Sequence, residues 1–251
     1  ESGVWTEYFE DGKIKFIEEY DNNGDPSGKW EFYSQDGSLL SKYNYVNGQL
    51  NGEIETFYED NWGGKGFLKE KGSYLTGKKD GFWEENYSSG RPKSKINYSN
   101  GILNGSYVTL YEEPNDTHEK GNYINGKKDG EWTTVSKYIN DYNNELIVYV
   151  SIGSYFNGEK IGKWSESEIV GGDYSEEDSK LITSKGSYKN GKKDGEWESY
   201  FGDGYTNEEL FFRGNYENGE LLYPYVKFDL YSDDKGLYKW DSQWGGYEKV
   251  R

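Results

Sequence analysis

The sequence predicts an all-β fold, an elongated single-layer array of about eight or nine antiparallel β-hairpins that forms a twisted ribbon. A unit rich in glycine and aromatic residues recurs along the chain at intervals of 24 to 33 residues, a length that suits two short strands and two turns. The 251 residues include 26 Tyr, 11 Phe and 9 Trp but are only 32% hydrophobic. Such a composition favours strands over helices, because aromatic residues are enriched in strands.

The repeat reads Gly-x-Tyr-x-x-Gly-x-x-x-Gly-x-Trp in its four clear copies. The residues to which we assign a structural role are Gly72, Tyr74, Gly81 and Trp83; Gly121, Tyr123, Gly130 and Trp132; Gly153, Tyr155, Gly162 and Trp164; and Gly186, Tyr188, Gly195 and Trp197. Looser copies surround these four, and the pattern decays near residue 220. We therefore expect repeats over residues 1–220 and a C-terminal capping segment over residues 221–251.

The strand pairing can be derived if the segment Asn-Gly-Lys-Lys-Asp-Gly at 190–195 is the hairpin turn. With the centre of the turn between Gly191 and Lys192, Tyr188 lies opposite Gly195. It also places Gly186 opposite Trp197, and the other three copies obey the same rule. All four residues then share one face, and each ring covers the backbone that a cross-strand glycine leaves bare. The resulting aromatic stripe contains Trp30, Trp83, Trp132, Trp164 and Trp197.

Composition excludes several classes of function. The formal charge of −17 and the pI near 4.6 argue against duplex nucleic acid, whose phosphates require clustered Lys and Arg, and favour a basic protein partner. The absence of Cys and the single His exclude thiol nucleophiles and the common multi-histidine zinc sites. No segment approaches the roughly 18 apolar residues of a membrane helix. We expect no catalytic residues, no metal and no cofactor.

The repeat units resemble a known family. The segments at 186–200 and 121–132, which share Gly-x-Tyr-x-Asn-Gly-Lys-Lys-Asp-Gly-Glu-Trp, are similar to the variant MORN repeats of bacterial proteins, including those described as YwqK-type antitoxins. The resemblance covers roughly residues 1–220. It implies an elongated β-hairpin array that binds partners and has no catalytic residues of its own.

Variation in length is confined to the turn that follows each Trp strand. The predicted insertions lie at 61–66, 138–144 and 171–178, all on one edge of the ribbon, and variable loops on a rigid scaffold are where recognition usually resides. This edge is also acidic, whereas the fixed turns carry Lys78-Lys79, Lys127-Lys128 and Lys192-Lys193. The candidate partner-binding residues are Trp62, Asp141, Tyr142, Asp173, Tyr174, Glu176, Glu177 and Asp178. Drift in solvated loops, and charge that keeps the sheet soluble, are the alternative explanations.

Three further kinds of chemistry have candidate residues in the sequence. His118 is expected in a polar surface turn without a nucleophile beside it, no carboxylate pair is singled out for glycoside hydrolysis, and the acidic segment 172–178 has ligands suited to calcium but lacks EF-hand spacing. A carbohydrate site would require an open groove of aromatic rings. The rings that could form it are Tyr33, Tyr58, Tyr87, Tyr111 and Tyr200.

The function that these features favour is a non-enzymatic repeat scaffold that binds a protein, with an immunity or antitoxin factor for a basic toxin as one form. The alternative is an exported cell-surface or periplasmic protein that binds carbohydrate or wall polymer through exposed aromatics. The lack of an initiator Met and of Cys leads us to expect export from a bacterial cell. The oligomeric state is left open.

Overall fold

The fold is all-β, as predicted. The computed structural model describes residues 2–60, 62–110, 112, 117–139, 146–171, 180–202, 208–223, 225–227, 230–233, 236–241 and 246–249. Over these ranges the chain forms only strands, turns and short connections. No helix in this part of the chain has the length and hydrophobicity needed to cross a membrane.

The chain divides into two compact units. One contains Glu1–Glu112 and Asn122–Lys127, and the other contains Glu113–Gly121 and Lys128–Arg251. The first ten strands are β1 (Gly3–Tyr8), β2 (Ile14–Tyr20), β3 (Pro26–Tyr33), β4 (Leu39–Val46), β5 (Gln49–Leu50), β6 (Gly52–Glu59), β7 (Lys65–Leu75), β8 (Lys78–Asn86), β9 (Pro92–Ser99) and β10 (Ile102–Thr109). Within the first unit they form an antiparallel meander, because each strand pairs with its neighbours along the chain, except that β5 and β6 both pair with β4.

The second unit repeats this plan with longer strands. Its strands are β11 (Thr117–Ile124), which ends in the first unit, β12 (Lys127–Ile139), β13 (Leu146–Phe156), β14 (Glu159–Gly171), β15 (Lys180–Lys189), β16 (Lys192–Gly202), β17 (Glu208–Glu217), β18 (Glu220–Leu221) and β19 (Val226–Lys227). Strands β12 to β17 pair in chain order, and β17 also pairs with β18 and β19. A separate three-stranded sheet contains β20 (Leu230–Asp233), β21 (Gly236–Asp241) and β22 (Gly246–Lys249). The boundary at residue 220 remains a prediction.

Two-residue turns close seven hairpins on one edge of each unit, which we call the fixed edge, whereas the turn 21–25 on the same edge of the first unit has five residues. At the two-residue turns an Asn or Thr with φ of 47–52° precedes a glycine with φ of 73–89°. They are Asn47-Gly48, Thr76-Gly77, Asn100-Gly101, Asn125-Gly126, Asn157-Gly158, Asn190-Gly191 and Asn218-Gly219. Two successive residues at positive φ define the type I′ turn, whose twist matches that of the flanking strands.

The predicted register is correct in one half of the hairpin and wrong in the other. Next to the turn, Tyr188 pairs with Lys193 rather than with Gly195, because the turn is centred one residue earlier than predicted. Farther out, Lys185 pairs with Glu198, as predicted. The change of register is a β-bulge at Gly195, which has φ of +75°. Glycine suits this position because only a residue without Cβ adopts that φ at little cost.

The other hairpins show the same correction. Tyr74 pairs with Lys79, and Tyr155 pairs with Lys160, so neither lies opposite the glycine of its own hairpin. The bulge glycines pair instead with the tyrosine of the following repeat. These pairs are Gly81 with Tyr98, Gly130 with Tyr155, Gly162 with Tyr188 and Gly195 with Tyr216. Each repeat is therefore in register with the next through the strands that follow the bulge.

The opposite edge, which we call the variable edge, carries a different turn. In the first unit its turns span residues 9–13, 34–38, 60–64 and 87–91, and in each the first residue donates a backbone N–H to the carbonyl of the fifth. The extra residues at 61–66 were predicted to lengthen this turn, and that prediction is wrong. The turn 60–64 has the same length as the other three, and the added residues lengthen β7 instead. Likewise Tyr138 and Ile139 lie in β12, and Gly171 lies in β14. The remainder of those two insertions lies outside the described residues.

Candidate functional site

The repeats are held together by tryptophan rings that lie flat on glycines. Trp83, Trp132 and Trp197 are 1% exposed and Trp164 is 3% exposed. A Cβ atom added at Gly153 would lie 2.1 Å from the Trp164 ring, far inside van der Waals contact. The equivalent distances are 2.3 Å at Gly72, 2.2 Å at Gly121 and 2.2 Å at Gly186, each to the tryptophan of the same repeat. Glycine is needed here because the ring occupies the space of a side chain.

Hydrogen bonds fix the orientation of these rings. The indole N–H of Trp197 donates to the carbonyl of Ser187 at 3.0 Å, and that of Trp83 donates to the carbonyl of Ser73 at 3.1 Å. The acceptor is in each case the residue after the covered glycine, where the bulge interrupts the ladder. The indole therefore satisfies a backbone carbonyl at the point where strand pairing is irregular.

Tyrosines pack edge-on against the tryptophans and link one repeat to the next. In the second unit the row runs Trp132, Tyr155, Trp164, Tyr188, Trp197 and Tyr216, with ring centroids 5.2–6.4 Å apart and interplanar angles of 74–89°. Edge-to-face pairs of this kind add to the stabilisation that burial gives. The bulge glycines Gly81, Gly130, Gly162 and Gly195 have no atom within 4 Å of an added Cβ. The prediction that tyrosines cover these four glycines is therefore wrong.

Trp30 shows what happens when the glycine is replaced. Glu19 occupies the glycine place of that repeat, and Trp30 is only half-buried, although its indole N–H still donates to the Glu19 carbonyl at 2.9 Å. Of the predicted stripe, four tryptophans are buried and this one is not. In this repeat a side chain stands at the position where the other four leave bare backbone for the ring.

A lysine closes the outer face of each buried tryptophan. The ammonium nitrogens of Lys79, Lys128, Lys160 and Lys193 lie 3.8–4.1 Å from the centroids of Trp83, Trp132, Trp164 and Trp197. This is cation–π geometry. Glutamates hold the lysines in place, with Lys128 Nζ 2.7 Å from Glu119 and Lys160 Nζ 2.8 Å from Glu166. Each tryptophan is thus enclosed by glycine, tyrosine and lysine in a single-layer sheet.

These contacts bear on the charge of the fixed edge, which the Lys-Lys pairs were expected to make mildly basic. The second lysine of each pair instead covers a tryptophan and is only 23–31% exposed. Burial also lowers the pKa of Lys193. The exposed lysine at this edge is therefore the first member of each pair.

Glu166 couples two neighbouring repeats through its carboxylate. It accepts hydrogen bonds from Lys160 at 2.8 Å and from the Tyr188 hydroxyl at 2.9 Å, and Lys193 lies 3.8 Å away. Burial acts to raise the pKa of Glu166, but these donors outweigh it, and the pKa is below its ordinary value of 4.5. The ionised carboxylate is therefore the form that stabilises the fold.

The stability of the protein should depend on this carboxylate in acid. Because the pKa of Glu166 is lowered on folding, its contribution is present above about pH 4.5 and is lost as the pH falls through the folded-state pKa. Glu166→Gln should therefore be less stable than the parent at pH 7, and the difference should shrink toward pH 3. Urea denaturation at stepped pH measures this. A constant difference from pH 7 to pH 3 would contradict it, and Glu131→Gln is the control.

The variable edge of the first unit carries one fully exposed aromatic ring. Trp62 is 95% exposed, and it lies in the turn 60–64. Asp60 Oδ1 accepts the backbone N–H of Trp62 at 2.8 Å and that of Gly64 at 2.7 Å. The ring is therefore presented from a turn with fixed backbone geometry. The other candidate partner-binding residues, Asp141, Tyr142, Asp173, Tyr174, Glu176, Glu177 and Asp178, lie outside the described residues.

Acidic side chains on this edge also shape its turns. Asp11 accepts the backbone N–H of Lys13, and Asp36 accepts that of Ser38 together with the Ser34 hydroxyl. Hydrogen bonding lowers the pKa of both carboxyl groups, with the backbone of Lys13 the largest cause at Asp11 and the Ser34 hydroxyl at Asp36. These residues therefore stabilise the turn and keep a negative charge at the surface.

The tyrosines that could have formed an open aromatic groove are half-buried where the structure describes them. Tyr58 donates its hydroxyl to the Asn86 carbonyl at 3.1 Å, and Tyr87 donates to the Leu110 carbonyl at 2.8 Å. The hydroxyls of Tyr33 and Tyr200 donate to Glu31 and Glu198. Tyr111 lies outside the described residues. Tyr58 and Tyr87 thus link neighbouring turns of the variable edge.

The structure does not support the remaining candidates for catalysis or metal binding among the described residues. His118 lies in β11 rather than in the predicted turn. In the described part of the chain no three His, Asp or Glu side chains are grouped as a metal would require. The acidic segment 172–178 lies outside that part.

Comparison with known families agrees with this geometry. The family described as MORN repeat variant matches residues 1–22 and 26–47. These two matches support a MORN-repeat protein. The match falls on the first two repeats rather than on the four clear copies that carry the resemblance in sequence. No curated protein matches the chain.

MORN repeats generally serve as protein- or membrane-binding scaffolds and are typically non-catalytic. The buried residues of the repeats are used for packing, so the exposed side chains are the ones available to a partner. The lysine that covers each tryptophan was missed in the sequence, although a signal existed. In the other copies the segment between the two glycines reads Lys-Lys-Asp, and in one copy it reads Glu159-Lys160-Ile161. Only the middle residue, the lysine, is the same in all of them.

Proposed function

We propose that this MORN-repeat protein is a non-catalytic scaffold that binds a basic protein through its variable edge, as an immunity or antitoxin factor would bind a cationic toxin domain. The observation that carries the proposal is Trp62, which is 95% exposed. Tryptophan is the residue most enriched among interface hot spots. Because Asp60 already fixes the turn, little ordering entropy would be lost when a partner covers the ring.

Charge favours a basic protein over a membrane. The formal charge of −17 repels the anionic headgroups that attract peripheral proteins, and it steers basic proteins toward the surface. The acidic turn residues Asp11, Asp36 and Asp60 lie on the same edge as Trp62 in the first unit. Carbohydrate binding is less favoured, since the tyrosines available for a groove donate hydrogen bonds within the fold.

Site-specific photo-crosslinking tests the proposal. A photoreactive phenylalanine analogue placed at position 62, in cells that produce the protein, should form a covalent adduct with a basic protein. The matched control is position 156, because Phe156 is also exposed, at 66%, but lies beside a fixed-edge turn. The purified pair should lose at least about tenfold in affinity, or 1.4 kcal/mol, on Trp62→Ala and little on Phe156→Ala.

Salt should weaken the complex, because surface charges are screened over about 10 Å at 0.1 M ionic strength. Equal crosslinking at both positions, or an acidic partner whose affinity does not depend on salt, would contradict the proposal.

A further inference from the structure

The lengthened strands of the second unit carry additional surface beyond the tryptophans. Strands β12, β13 and β14 have 13, 11 and 13 residues, whereas β8, β9 and β10 have 9, 8 and 8. The added residues extend the sheet toward the variable edge. Thr134 and Ser136 follow Trp132 at alternate positions of β12, so they lie on the face that bears the tryptophans.

A depression of about 350 Å³ lies on this extension. Small hydroxyl side chains form much of its lining. They are Thr134, Ser136, Ser151, Ser167 and Ser184. Tyr149 and the carboxylates of Glu166 and Glu168 complete the polar lining.

The two carboxylates differ in what surrounds them. Glu166 accepts hydrogen bonds from Lys160 and Tyr188, so its charge is compensated. Glu168 is half-buried and has no ion-pair partner among the described residues. Its neighbour across the sheet is Tyr149. Among the described residues, the depression therefore contains one carboxylate without a cationic partner, Glu168.

A pair of stacked rings flanks this charge. Tyr138 and Tyr149 lie 5.7 Å apart between centroids with an interplanar angle of 20°, and their hydroxyl oxygens are 3.2 Å apart. Both rings are partly exposed, at 38% and 39%. A guanidinium group stacks on aromatic faces and donates to carboxylate and hydroxyl oxygens in one plane. A neutral sugar would gain the ring contact but would leave the charge of Glu168 uncompensated.

We propose that this depression, between β12 and β15 beside the variable edge, binds an arginine side chain of the basic protein partner. The inference rests on the proposed function and adds a second anchor to it. Glu168 pairs with the guanidinium, Tyr149 stacks on it, and Ser151 accepts one of its remaining N–H groups.

A pair of synthetic peptides tests the site on the full chain. The probe is acetyl-Gly-Arg-Gly-Arg-Gly-amide, and its control carries citrulline, an uncharged isostere, in place of both arginines. In ¹H–¹⁵N spectra the arginine peptide should shift the amide signals of Tyr149, Ser151 and Glu168, and the citrulline peptide should bind at least about tenfold more weakly. Glu168→Gln should weaken the arginine peptide by a similar factor. Glu131→Gln, on an exposed residue of the same unit, should not.

The outcomes separate this site from the wider proposal. Equal affinity for both peptides, shifts with cellobiose but not with arginine peptide, or no effect of Glu168→Gln would overturn the arginine site. If the arginine peptide shifts the signals of turn 60–64 and leaves the depression unchanged, the arginine site fails while binding at the variable edge stands. If only the depression responds and Trp62→Ala leaves partner affinity unchanged, the variable edge fails instead.

Discussion

Replacing Trp132 with alanine should lower the free energy of unfolding by about 3–5 kcal/mol, the range for large aromatic side chains removed from a core. The ring is 1% exposed, lies on Gly121, packs against Tyr155 at 5.9 Å and is covered by Lys128 at 4.1 Å. A single-layer sheet has no second layer to fill the space. Urea denaturation followed by circular dichroism measures the loss.

The matched control is Phe156→Ala, because this ring belongs to the same unit but is 66% exposed. Its removal should cost less than about 0.5 kcal/mol, as for most surface positions. A similar loss for both variants would mean that the tryptophans do not form the core. A loss below about 1 kcal/mol for Trp132→Ala would contradict the packing described above.

Gly153→Ala should cost about 3 kcal/mol, at the upper end for overpacking, although it adds only a methyl group. That methyl would lie 2.1 Å from the Trp164 ring, and the ring cannot withdraw without losing its contacts with Tyr155 and Lys160. The matched control is Gly162→Ala. Gly162 has φ of +61° and open space around an added Cβ, so alanine there should cost only the backbone strain, about 1–2 kcal/mol.

The order of these two losses separates two roles of glycine in the repeat. Gly153 provides room for a ring, and Gly162 provides a backbone conformation. If Gly162→Ala were the more damaging, the bulge conformation rather than the ring contact would dominate the stability of the repeat.

The fold class followed from the sequence because the repeat is long, regular and composed of strand-forming aromatics. The tryptophan–glycine contact of the four clear copies was also predicted, since Gly186 and Trp197 are the same distance apart as their equivalents. The pairing of the strands beside the turn was predicted incorrectly. The Asn190-Gly191 dipeptide is a signal for a two-residue turn, and centring the hairpin there would have placed Tyr188 opposite Lys193.

The candidate site was less accessible to sequence reasoning. Trp62 stood out because it lies in a region of irregular length. The depression near Glu168 could not be inferred, because it requires the strand alignment of Tyr149 with Glu168 and the stacking of Tyr138 on Tyr149. The residues of the three long repeats at 61–66, 138–144 and 171–178 were assigned to turns, whereas those that the structure describes mostly lengthen strands. Period length alone does not distinguish these two outcomes.

A double-mutant cycle between Gly153 and Trp164 tests most directly whether the repeat is a ring packed on a glycine. In the parent, Gly153→Ala should cost about 3 kcal/mol. In the Trp164→Ala background, where the ring is absent, it should cost less than about 1 kcal/mol, which gives a coupling energy of about 2 kcal/mol. Additive losses, with the same cost of Gly153→Ala in both backgrounds, would contradict this account of how the repeats fold.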